Sequence, residues 1–157
     1  MGIVNFYHLT RFSLDEVVTM LCDRALQQGW RVMVRDADRA ALERLDGRLW
    51  LEPEDGFLPH GLAGGPQDAD QPVLLGQGAA VNGACAVLLL RALPVDLAEA
   101  QAMERVWLLF EGADEAQVAA ARVQWKAVTA AGLPAQYWAD ASGKWEKKAE
   151  SPAPSGA

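Results

Sequence analysis

Two uninterrupted apolar runs decide what this chain can fold into. Ala84-Cys85-Ala86-Val87-Leu88-Leu89-Leu90 and Val106-Trp107-Leu108-Leu109-Phe110 have no polar residue at alternate positions. A strand made from either is therefore apolar on both faces and must be covered on both. Sheets of that kind have their strands joined by helices, which makes neighbouring strands parallel.

The remaining segments alternate as that architecture requires. Residues 4–9 and 31–35 read as strands, and between them Ser13-Leu14-Asp15-Glu16 is a capping box that opens a helix running to about Gly29. A second helix is expected over 36–45, followed by a short apolar strand at 48–51. Residues 61–71 carry Gly, Pro and Asp with little apolar content and read as an exposed loop between two halves of the sheet. Residues 72–75, 84–90 and 104–110 supply three more strands. Gln136-Tyr137-Trp138 and Lys144-Trp145-Glu146 flank a short polar stretch and signal a hairpin, whereas residues 149–157 read as a disordered tail. At 157 residues and 51% hydrophobic content, one core suffices. The expectation is a single α/β domain over 1–148, a three-layer sandwich with a mostly parallel sheet in a Rossmann-like order.

Such a fold invites a nucleotide or catalytic reading, which the motifs do not support. After the first strand the chain runs His8-Leu9-Thr10-Arg11-Phe12, without the glycines that let a backbone approach a pyrophosphate. Gly61-Leu62-Ala63-Gly64-Gly65-Pro66 lacks the Lys-Ser/Thr pair of a phosphate loop. His8 and His60 have no partner at ligand spacing, and His60 is expected to make a local hydrogen bond in its turn. The expectation is a chain without cofactor, metal or catalytic residues; an α/β enzyme or nucleotide-binding protein with an unrecognised site is the alternative. The apolar runs are too short to span a bilayer, the N-terminus reads as a strand and not as a signal peptide, and Cys22 and Cys85 read as reduced core thiols, so a cytoplasmic location is expected.

The positive charge is concentrated. The whole chain has 14 Lys+Arg against 21 Asp+Glu, a net charge of −7, which disfavours general affinity for nucleic acid. Residues 116–148, however, hold five basic side chains and two acidic ones, a local +3. Within that region the segment 114–132 is Ala-rich, opens on Asp114-Glu115 and closes on Gly132 and Pro134, as a helix does. Ala116, Ala120, Val123, Ala127 and Ala130 are spaced to form its buried stripe. Arg122, Trp125 and Lys126 then share one turn of the other face, two cations beside an indole. That patch suits an acidic peptide; the competing reading tucks Trp125 under a loop and leaves the cations to water. Trp50 and Phe57 lie in a second aromatic cluster shaped by Pro and Gly, which caps the core or forms a partner surface.

Several of these segments together resemble a known family. Asn5-Phe6-Tyr7, Leu45-Asp46-Gly47-Arg48-Leu49-Trp50, Phe57-Leu58-Pro59-His60-Gly61-Leu62-Ala63-Gly64, Pro72-Val73, and Ala121-Arg122-Val123-Gln124-Trp125-Lys126 with Ala131-Gly132 resemble the chi subunit of bacterial DNA polymerase III holoenzyme, in order over 1–148. The resemblance implies a non-enzymatic accessory of the clamp loader in DNA replication, with the fold of a nucleotide-binding protein but no nucleotide. It implies that Arg122, Trp125 and Lys126 hold the acidic C-terminal tail of single-stranded-DNA-binding protein, Trp125 standing where a tyrosine is more usual. It assigns Trp50 and Phe57 to the psi subunit, through which the clamp loader is reached, with a repair helicase as a further candidate partner; no direct DNA or membrane contact is implied. The hairpin ending at Lys148 is longer than the family's, leaving open whether Lys144, Lys147 or Lys148 assists.

Overall fold

The computed structural model describes residues 2–51 and 58–152. Eight strands form one sheet: β1 (Ile3–Leu9), β2 (Val32–Arg35), β3 (Gly61–Leu62), β4 (Val73–Gly76), β5 (Ala86–Leu89), β6 (Arg105–Glu111), β7 (Ala135–Ala139) and β8 (Glu146–Ser151). Their order is β3-β4-β2-β5-β6-β1-β7-β8, parallel at every pairing except the terminal β7–β8 hairpin. Helices α1 (Leu14–Gln27), α2 (Arg39–Leu51), α3 (Leu97–Ala102) and α4 (Glu115–Ala130) cover it.

The apolar runs act as their composition requires. Along β6, Trp107 and Leu109 join the core beneath α1 and α2, while Val106, Leu108 and Phe110 join the core beneath α3 and α4. β1 divides likewise, Tyr7 and Leu9 to the first core and Val4 and Phe6 to the second. The expected three-layer α/β sandwich is therefore present, with two cores separated by a mostly parallel sheet.

The capping box forms at α1: the Ser13 hydroxyl accepts from the Glu16 amide at 3.2 Å and donates to the Glu16 carboxylate at 3.1 Å. Ser13→Ala should cost about 1 kcal/mol and lower the melting temperature by roughly 2–4 °C, measurable by calorimetry.

Five expectations need correction. Residues 48–51 are not a strand: α2 continues through Gly47 to Leu51, because Leu42, Leu45 and Leu49 recur at helical spacing on the first core. The segment read as an exposed loop contains β3, which adds a short parallel edge strand to β4. The limit at 148 falls inside β8, whose residues Ala149, Glu150 and Ser151 pair with Tyr137, Gln136 and Ala135; residues 153–157 of the expected tail lie outside the described residues. Cys22 is a core thiol, pushed up to about 12 chiefly by burial and secondarily by Asp23, but Cys85 is only half-buried.

The fifth correction concerns α4. Its buried positions are Gln117, Ala121 and Val128, with Gln124 half-buried between them. Each lies one residue beyond the expected Ala116, Ala120, Val123 and Ala127, a rotation of about 100°, and Val123 is 61% exposed. The apolar count missed this because the stripe includes two glutamines. The Gln117 side-chain oxygen accepts from the Glu111 amide at 2.8 Å and that of Gln124 from the Val95 amide at 2.9 Å, so both oxygens find donors within the interface.

Candidate functional site

The rotation of α4 sets Trp125 at the border of the buried stripe. One turn on from Ala121 and one before Val128, its indole packs edge-on against Phe6 on β1, with centroids 5.2 Å apart at 70°. Tyr137 on β7 meets it at 6.1 Å and 82°. Trp125 is thus held in place by two rings and remains partly open, neither lying under a loop nor standing free on the polar face.

Around it lies a cavity of about 470 Å³. Phe110, Val118, Ala121, Trp125 and Tyr137 give it an apolar lining, with His8 at one side, and Arg122, Lys126 and Lys148 supply three cations. The structure therefore brings the three sequence-designated residues to one cavity. Of the hairpin lysines, Lys148 lines it and Lys144 and Lys147 do not. Lys148 approaches Glu146 at 3.7 Å and Lys147 bonds Glu150 at 2.6 Å. Among the described residues, neither Arg122 nor Lys126 takes part in an ion pair. Several other cations are paired, Arg35 with Glu99, Arg48 with Asp15 and Arg91 with Asp36, whereas Arg11, Arg31 and Arg105 bond backbone carbonyls instead.

Sequence reading missed His8, Phe110 and Tyr137. They come from three strands, and no local spacing links them. His8 Nδ1 lies 2.7 Å from the Tyr137 hydroxyl across 129 residues of chain, and its ring lies 4.9 Å from Phe110. Loss of water raises the Tyr137 phenol above its usual range, with Arg122 pulling the other way, so the phenol is a protonated donor at neutral pH.

The second aromatic cluster lies across the sheet. Trp50, at the end of α2, is 54% exposed with its ring 4.6 Å from that of His60. His60 is buried and bonds locally as expected, Nδ1 to the Leu58 carbonyl at 2.6 Å, with Nε2 3.1 Å from the Asp46 carboxylate. Phe57 lies outside the described residues. Because α2 packs on the first core and α4 on the second, the Trp50 surface and the Trp125 cavity sit on opposite faces.

At the place where a nucleotide-binding protein of this fold would cradle phosphate, the loop between β1 and α1 is already occupied. The backbone amides of Thr10, Arg11 and Phe12 donate to the Asp140 carboxylate at 2.7, 3.1 and 2.8 Å, and Asp140 is fully buried. An internal carboxylate thus uses the amides an anionic ligand would need. Among the described residues, no three of His, Cys, Asp or Glu cluster to hold a metal, and no helix is long and apolar enough to cross a membrane.

Comparison with known proteins agrees with the resemblance. The family model described as DNA polymerase III chi subunit, HolC, matches residues 1–136. The chain is 43% identical over 63 residues to DNA polymerase III subunit chi of Pseudomonas aeruginosa, covering 40% of this chain and 43% of that protein. It is 37% identical over 59 residues to the subunit of the same name from Escherichia coli, covering 35% of this chain and 40% of that protein. These aligned stretches span about two-fifths of the curated relatives, while the family model extends over most of the chain and takes in Trp50 and all of α4 but stops short of Tyr137 and Lys148, which makes this chain a member of the DNA polymerase III chi subunit family.

Proposed function

We propose that this protein is a non-catalytic adaptor of the replicative polymerase, which grips the acidic C-terminal tail of single-stranded-DNA-binding protein in the Trp125 cavity. The opposite face, around Trp50, carries the psi subunit and through it the clamp loader. The supporting observation is the combination at α4: two cations without an intramolecular carboxylate partner among the described residues, beside a slot lined by Trp125, Tyr137 and Phe110. A peptide with several aspartates and a terminal phenylalanine carboxylate offers the matching chemistry, acidic groups for the rim and a ring for the slot. The acidic body, at net −7, opposes direct contact with DNA, so DNA is reached through the partner.

Truncating one cation tests this. Arg122→Ala or Lys126→Ala should weaken binding of the tail peptide by about 1–3 kcal/mol, and wild-type affinity should fall as salt rises. Thermal stability should be unchanged, since both side chains are exposed. Peptide titration followed by tryptophan fluorescence reads the effect, and unchanged affinity in both variants would remove the peptide from this site.

A further inference from the structure

The cavity contains a hydrogen-bonded pair whose direction decides what it can recognise. His8 and Tyr137 both line it, with Nδ1 and hydroxyl 2.7 Å apart. A phenol has one proton. Given to His8, it leaves only lone pairs facing the cavity, which repel a carboxylate. If His8 donates instead, the phenolic O–H is released to point at a ligand oxygen.

The surroundings of the imidazole favour the second arrangement. Its ring lies against Phe110, and its Nε2 edge abuts Gly112 so closely that a Cβ there would collide with it. Among the described residues, Nε2 makes no hydrogen bond, so a ring proton on Nε2 would go unused, whereas one on Nδ1 has the Tyr137 oxygen as its acceptor. The phenol, kept protonated by burial, then has its hydrogen free.

The geometry points to His8 as a positioning residue that turns the Tyr137 hydroxyl toward the terminal carboxylate of a bound peptide. This inference rests on the peptide-binding reading of the cavity. Arg122, Lys126 and Lys148 attract any acidic group; the His8–Tyr137 pair selects a carboxylate over the uncharged amide at the same position. Gly112 belongs to the same device, since its missing side chain is what admits the imidazole.

The test uses two versions of one acidic peptide ending in phenylalanine, one with a free C-terminal carboxylate and one amidated, titrated against the full chain. Wild type should prefer the free carboxylate by about tenfold or more. His8→Leu and Tyr137→Phe should each lose most of that preference, weakening the free-carboxylate peptide far more than the amidated one, and the double variant should be no worse than either single one. His8→Asn, whose Nδ2–H can replace Nδ1–H, should recover part of it. If His8→Leu keeps the wild-type ratio, His8 has no such role and the cavity reading survives. If wild type binds neither peptide, the cavity reading itself fails and the inference falls with it.

Discussion

Asp140→Ala should lower the unfolding free energy by about 3 kcal/mol. The carboxylate is fully buried and accepts three backbone hydrogen bonds from Thr10, Arg11 and Phe12. Removing it strands three amides at once. Thr10 and Arg11 lie at the surface, so water recovers part of the loss, which keeps the expected cost well below three full desolvation penalties. The same carboxylate ties the β7–β8 hairpin to the loop that leads into α1, next to the Ser13 cap, so its loss loosens two elements together. Asp140→Asn should fall between the two. One amide oxygen in the Oδ2 position can still accept from Arg11 and Phe12, but the NH2 group then faces the Thr10 N–H, donor against donor. Urea denaturation measures both, and a loss below about 1 kcal/mol for alanine would show that the loop amides find water without strain.

Reversing both cations of α4, Arg122→Glu with Lys126→Glu, should reduce affinity for the acidic tail at least about a hundredfold, since attraction becomes repulsion at two points of the same rim. Folding should barely notice. The wild-type pair already places like charges at i and i+4 on an exposed turn, and the reversed pair does the same, so stability should remain within about 0.5 kcal/mol. Reversal of Lys144 and Lys147, which do not line the cavity, should change affinity by no more than about threefold. A comparable loss from the two reversals would mean that the peptide responds to overall charge and not to the cavity.

The sheet was legible because continuous apolar runs such as 106–110 have few alternatives to a strand buried on both faces. The helices were harder. Alanine fits either side of α4, so a count of small residues could not distinguish one stripe from its neighbour, and the buried stripe includes Gln117 and Gln124, which pay for burial through hydrogen bonds to Glu111 and Val95. Residues 48–51 misled for a related reason: Arg48-Leu49-Trp50-Leu51 is too short to show its period, and the helix is recognised only when Leu42 and Leu45 are read with Leu49. At the site, Arg122, Trp125 and Lys126 were visible because they share one helical turn. His8, Phe110 and Tyr137 were not, because β1, β6 and β7 become neighbours through parallel crossovers that leave no local spacing. Asp140 was hidden in the same way, its partners lying some 130 residues earlier in the chain.

The most direct test of the adaptor reading is calorimetric titration of the full chain with a peptide of the acidic C-terminus of single-stranded-DNA-binding protein, beside the same peptide without its terminal phenylalanine. Binding at micromolar strength that disappears with the shortened peptide is the predicted result. Absence of binding to either peptide would contradict it, leaving membership of the chi family without the tail-binding role assigned to the Trp125 cavity.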